Sequence, residues 1–159
     1  MATDDARFEP NQRKPLGPIA RWLAKGPRYL YTMRLGRLLG RRLVLLHHTG
    51  RTTGLPRQTV LEVVRHDDTS LDVAAGWGRN SDWYKNLTVQ PKIYVDTGPL
   101  REVPAIASHV DPATAADVFA DYAERHPRAA RTLAKTFALP LHDPAAMAAT
   151  VPLVRLSLQ

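Results

Sequence analysis

Cysteine is absent from all 159 residues. That absence removes disulfides, thiolate metal sites, iron–sulfur clusters and cysteine nucleophiles together. No window approaches the roughly 18 consecutive apolar residues that a membrane-spanning helix needs. The first ten residues are polar and acidic with no apolar core, which excludes a secretory signal and leads us to expect a cytoplasmic protein. No Gly-x-Ser-x-Gly elbow is present to support a serine hydrolase. The histidines give no metal-ligand spacing: His47 and His48 are adjacent and should face opposite ways on a strand, while His66, His109, His126 and His142 are scattered.

Negative charge is scarce at the front of the chain. Before residue 52 only Asp4, Asp5 and Glu9 oppose Arg7, Arg13, Lys14, Arg21, Lys25, Arg28, Arg34, Arg37, Arg41, Arg42 and Arg51, and the whole chain carries a formal +7. Such asymmetry calls for a polyanionic partner: nucleic acid, an anionic membrane surface, or a phosphorylated or polycarboxylate ligand. Nucleic acid is the least favoured, because the arginines interleaved with Trp22, Tyr29 and Tyr31 lie on a helical pattern without a recognition motif.

The length suits one domain with a proper core. Residues 1–17 hold too few apolar groups to offset the entropy of ordering and read as a flexible tail. Over residues 18–40 the apolar positions recur at helical spacing, interrupted by Gly26-Pro27, which predicts two short basic amphipathic helices. They either pack on the domain or, through Trp22, Tyr29 and Met33, cover an active site or make peripheral contact with an anionic membrane. Unchanged activity and liposome binding after deletion of residues 1–40 would exclude both of the latter roles.

From residue 41 to 159 the elements alternate. Leu43–His47 is a buried strand, Arg57–Arg65 and Ser70–Ala75 a hairpin across His66-Asp67-Asp68-Thr69, and Lys92–Thr97 with Leu100–Ser108 a second hairpin across Gly98-Pro99. A helix capped by Asn80 or Ser81 begins near Asp82 and ends before Pro91, with Trp83 and Leu87 on one face. Asp111-Pro112 opens a helix to Arg125, Arg128–Ala138 resumes it after Pro127, Pro144–Ala149 is a helical turn, and Leu153–Leu158 is the last strand. This order predicts a mainly β chain with helices (α+β), a small antiparallel barrel with helices plugging its ends.

Two glycine-punctuated loops stand out. In Thr49-Gly50-Arg51-Thr52-Thr53-Gly54-Leu55-Pro56-Arg57 the glycines permit tight turning, and free backbone donors from Arg51 to Gly54 join three hydroxyls and two guanidiniums. That is the chemistry of a phosphate or carboxylate nest, although the Walker spacing is missing. Taken alone, the loop suits an ordinary hairpin with solvent-facing arginines equally well. The second, Gly76-Trp77-Gly78-Arg79-Asn80-Ser81, leads into a helix N-terminus, where unpaired donors attract anions, and Trp77 and Trp83 have flat faces for a ring. It too has a plain reading, as a strand-to-helix connection with tryptophans in the core.

The first loop, preceded by Leu45-Leu46, and Asp82-Trp83-Tyr84-Lys85-Asn86-Leu87, followed by Pro91-Lys92 and a strand, resemble the deazaflavin-dependent nitroreductase family. The resemblance runs from about Leu43 to Thr97 and implies a split β-barrel of the kind that also binds flavin mononucleotide. It implies an oxidoreductase, typical of actinobacteria, that takes hydride from reduced coenzyme F420, an 8-hydroxy-5-deazaflavin whose phosphate and oligoglutamate tail supply the polyanion. In that reading Thr49, Arg51, Thr52, Thr53, Gly54 and Arg57 line the phosphate and tail, and Gln58 and Thr59 approach the ring. Ala74, Ala75, Gly76, Trp77, Gly78 and Arg79 form the opposite wall, with Trp83, Tyr84 and Asn86 fixing the helix behind it. Two features depart from the nitroreductase pattern: the second loop is shorter, and residues 123–159 contain no tyrosine. The acceptor is therefore left open among a quinone, an enone and a nitro compound. Flavin mononucleotide remains the alternative cofactor, and a non-catalytic module that binds the cofactor or a lipid the alternative class. A homodimer is in keeping with such barrels.

Overall fold

The computed structural model describes residues 40–159, so the expected tail and the helices over 18–39 lie outside the described residues. A single 3₁₀ turn, Gly40–Arg42, leads into β1 (Leu43–Thr49). The remaining strands are β2 (Pro56–His66), β3 (Ser70–Ala74), β4 (Lys92–Thr97), β5 (Leu100–His109) and β6 (Leu153–Leu158). Helix α1 (Asp82–Val89) follows a 3₁₀ turn over Gly78–Asn80, and α2 (Pro112–Arg125), α3 (Pro127–Phe137) and α4 (Pro144–Thr150) come between β5 and β6.

The strands close in the order β1-β2-β3-β6-β5-β4, with β4 returning to β1 and every pairing antiparallel. Closure leaves no unpaired edge, which suits strands this rich in valine and leucine. Period-two alternation decides what faces inward. Val44 and Leu46 of β1, Leu71 and Val73 of β3, Val95 of β4 and Leu156 of β6 fill the interior, each at most 1% exposed. Burying one such side chain stabilises the fold by about 1.5–3 kcal/mol.

The helices divide into two groups, which corrects the expectation that they plug both ends. Among the described residues only α1 is a plug: Trp83, Tyr84 and Leu87 join the interior cluster. Helices α2 to α4 lie on the outer face of β2, β3 and β6, where Val118, Phe119 and Tyr122 of α2 and Ala130 of α3 pack on Val64 and Leu153. Their own alanine-rich sequences supply one apolar face each, which a flat strand surface can bury and a narrow barrel mouth cannot.

Sequence and local structure agree closely at the punctuation. Asp111 caps α2 by accepting from Thr114 N at 2.9 Å, with Pro112 in the first turn. At α1 the cap differs: Ser81 stands at the capping position but makes no capping bond, and its Oγ donates instead to Gly78 O at 3.0 Å. On the outer face of β3, Asp72 lies between its direct cross-strand neighbours Arg65 and Arg155. Its carboxylate accepts from Arg65 Nε at 2.9 Å and from Arg155 Nε and Nη2 at 2.8 and 3.0 Å, and the Asp72 hydrogen bonds in turn raise the Arg155 pKa.

Candidate functional site

The first loop leaves β1 at Thr49 and returns at Pro56, which are paired. Gly50 N donates to Leu55 O at 2.9 Å and Gly54 N to Gly50 O at 2.8 Å, closing the turn. Gly54 adopts φ +66°, and a Cβ at Gly50 would stand 2.7 Å from Thr53 Oγ1, so neither position accepts a side chain without rearrangement. The closed turn uses some of the donors that were expected to be free. The Gly54 N–H goes to Gly50, and the Arg51 N–H goes to Asn86 Oδ1 at 3.0 Å. Among the described residues, the N–H groups of Thr52 and Thr53 are the two in that stretch left without a partner.

Arg51 joins this loop to α1. Its Nη1 donates to Asn86 Oδ1 at 3.1 Å and sits 3.2 Å from Asp82 Oδ1. Two elements distant in sequence thereby meet at one end of the barrel. Behind them His48 is buried, with Nδ1 3.0 Å from Asn86 Nδ2 and Nε2 3.1 Å from Thr59 Oγ1. Burial, then the charges of Arg57 and His47, lowers the His48 pKa below its ordinary 6.5. The sequence marks His48 only as a poor metal ligand. The signal that could have found it was its inward parity with Val44 and Leu46, a polar side chain on an otherwise apolar face.

The second loop begins at Ala74 and Ala75. Ala75 is fully buried and its N–H donates to Pro152 O at 2.9 Å. Gly76 and Gly78 carry the chain around the turn, Gly78 at φ +69°. Arg79 reaches back to Tyr84 OH at 3.5 Å, and that hydroxyl lies 3.2 Å from His109 Nδ1. The two tryptophans separate: Trp77 is 60% exposed, whereas Trp83 is 8% exposed inside the barrel. Trp83 therefore has no face for a ligand ring, because α1 needs it as core; Tyr84 and Asn86 are buried beside it.

Gln58 and Thr59 also separate. The pleat sends successive side chains to opposite faces. Gln58 points outward, its Nε2 3.2 Å from His47 Nδ1, and Thr59 inward to His48. A ring lying on one face of β2 meets only one of these two side chains.

A cavity of about 400 Å³ opens elsewhere, lined by Arg42, His126, Pro127, Arg128, Ala129 and Arg131. Arg42 immediately precedes β1 and the first loop follows it, so the seven residues of β1 hold the two about 23 Å apart. Beside this cavity Tyr122 OH donates to Glu62, and its ring lies 5.3 Å from that of His126. Burial, then the Glu62 hydrogen bond, pushes the Tyr122 hydroxyl well above its usual range, so it stays a proton donor at neutral pH. A smaller cavity of about 180 Å³ lies under α1 between Tyr84, Leu87 and His109. We place the candidate site at the first loop and the start of α1 rather than at the larger cavity, because among the described residues open peptide N–H groups, hydroxyls and guanidiniums come together there.

The family model for F420H2-dependent quinone reductase matches residues 27–139 of this chain. The F420H2-dependent quinone reductase Rv1261c of Mycobacterium tuberculosis is 42% identical over 60 residues, a stretch that covers 36% of this chain and 40% of that protein. Among solved structures, an F420-H2 dependent reductase, FDR-A, superposes with a TM-score of 0.51 at 19% identity, covering 74% of this chain and 96% of that one. HutZ, the heme storage protein of Vibrio cholerae, does so at 0.52 and 17% identity, over 81% and 89% of the two chains. Likeness at those identities speaks for the barrel alone. The matched residues span both loops, α1 and all strands but the last, and on that breadth the chain belongs to the F420H2-dependent quinone reductase family, built as a split β-barrel.

Proposed function

We propose that this protein is an oxidoreductase that moves a hydride from reduced coenzyme F420 to a quinone. The observation that carries the reading is the meeting of the first loop with the start of α1 through Arg51, Asp82 and Asn86, in a chain of this family. The donor set suits an oligoanionic coenzyme. The Thr52 and Thr53 N–H groups, the loop hydroxyls and the exposed Arg57 guanidinium stand ready for phosphate or carboxylate oxygens. Arg79 adds a second cation from the opposite loop.

Once bound, F420H2 supplies the hydride, and a proton completes reduction of a quinone to the hydroquinone. The residues of this chain bind, orient and shield. Arg57 and the two threonine N–H groups hold the anionic portion, Ala75 closes the second wall with its backbone pinned to Pro152, and Trp83 and Tyr84 keep water out of the barrel mouth. Holding donor and acceptor in register is the main catalytic contribution left to such a site. Enones and nitro compounds accept hydride by the same route and complete the acceptor range. The exposed Tyr94 and Ile106 on the outer face of β4 and β5 fit a homodimer, a reading that a single-chain mass by light scattering would remove.

The test is a fluorescence titration with F420 and, separately, with flavin mononucleotide, followed by oxidation of F420H2 in the presence of menadione, an enone and a nitroaromatic compound. Micromolar binding of F420 alone, with turnover on menadione, is the expected result. Binding of flavin mononucleotide alone would keep the barrel and change the chemistry. Binding without turnover on any acceptor would make the protein a carrier, and binding of neither would reduce the loops to ordinary connections.

A further inference from the structure

The orientation of Asn86 is decided on the side away from His48. There its Oδ1 accepts from the Arg51 peptide N–H at 3.0 Å and from Arg51 Nη1 at 3.1 Å. Both partners can only donate, so the carbonyl oxygen faces Arg51 and the NH2 group faces the imidazole. An NH2 group can itself only donate, so His48 Nδ1, 3.0 Å away, carries no proton. The neutral ring then bears its proton on Nε2, which donates to Thr59 Oγ1 at 3.1 Å.

We propose that neutral His48, held as its Nε2–H tautomer, is a positioning residue for the anion-binding loop: through Asn86 it sets the Arg51 peptide and guanidinium, and with them the open N–H groups of Thr52 and Thr53. That the anion received there belongs to F420 rests on the proposed function; the positioning itself does not. The ionisable groups acting on the ring are Arg57 from β2 and His47 on its own strand, and the nearby carboxylates are engaged elsewhere, Asp82 on α1 with Arg51 and Asp96 on β4 with His47. A proton on Nδ1 would point at the Asn86 NH2 group, and neither carboxylate is paired with the His48 ring to compensate it. Acid therefore releases Asn86 and, with it, the loop.

The experiment has a ligand-free arm and a coenzyme arm, each run on the wild type, on His48→Asn, which retains an acceptor oxygen near the Nδ1 position, and on His48→Leu, which retains none. Nitrogen–proton correlation spectra of the wild type should show the Nε2–H tautomer. Hydrogen exchange of the Arg51 amide should stay slow in the wild type and in His48→Asn and become about tenfold faster in His48→Leu, the scale of one hydrogen bond. The F420 dissociation constant should rise about tenfold in His48→Leu and change little in His48→Asn. Below pH 6.5 the wild type should lose affinity relative to His48→Asn, a difference in which the titration of the ligand cancels. An Nδ1–H tautomer, or equal Arg51 exchange in the two variants, would overturn the proposal. Should the wild type bind no F420, the coenzyme reading falls, while Arg51 exchange still decides the positioning role.

Discussion

The Arg51 guanidinium is partly committed within the molecule, to Asp82 and Asn86. From the sequence it is an anion ligand, and its replacement by alanine should weaken F420 binding by about 1.5–3 kcal/mol, the scale of a charge-assisted hydrogen bond. In the structure its guanidinium is already engaged with Asp82 and Asn86, so the same substitution should also lower thermal stability. Because both charges are partly solvated, with side-chain exposures of 32% and 86%, that loss should be at most about 1 kcal/mol. Arg57→Ala, whose guanidinium has no partner among the described residues, should weaken binding without moving the melting temperature. Calorimetric titration and thermal melts of both variants separate the roles; unchanged F420 affinity in Arg51→Ala would move the anion site away from this loop. No residue-level pattern could have revealed Arg51's engagement, since Asp82 and Asn86 lie 31 and 35 positions away.

The elements themselves were largely legible, because local chemistry delimits them. The β2–β3 turn is an example: Asp67 accepts from Thr69 N at 2.8 Å, Thr69 Oγ1 at 3.0 Å, Ser70 N at 2.7 Å and Ser70 Oγ at 3.0 Å, all within three residues. These bonds, the Thr69 N–H foremost, hold its pKa down to about 2. The folded turn therefore favours the carboxylate, while the unfolded chain takes up the proton near the ordinary 3.8. The stabilisation is complete above pH 3.8 and is lost as pH falls toward 2. The wild type should lose its advantage over Asp67→Ala across that window in acid-unfolding curves; a difference independent of pH would mean that the turn does not depend on the charge. Strands β1 and β5 run past their expected ends, to Thr49 and His109, because cross-strand pairing continues beyond the last apolar position, whereas β3 stops one residue short at Ala74.

At the scale of the whole molecule, Asp72 ties the barrel wall across three neighbouring strands. Its carboxylate is 2% exposed and accepts from both Arg65 and Arg155. Asp72→Ala leaves two cations facing each other across β3 and should destabilise the fold by about 3 kcal/mol, the lower end for a broken buried pair because the arginines are partly solvated. Denaturant unfolding measures it, and a loss under about 1 kcal/mol would show that the arginines find water as readily as Asp72.

What the sequence by itself determined is the order and kind of the elements and the two glycine-punctuated loops between them, because turn residues, prolines and period-two alternation act over a few positions. The tertiary structure alone decided that α1 plugs the barrel while α2 to α4 lie on its side, that Trp83 belongs to the core and Trp77 to the surface, and that Gln58 and Thr59 part across β2. It also brought His48, Asn86 and Arg51 into one hydrogen-bonded chain. These outcomes depend on which strands close the barrel and on what the plug needs to bury, and contacts across 30 or more residues leave no mark in local spacing.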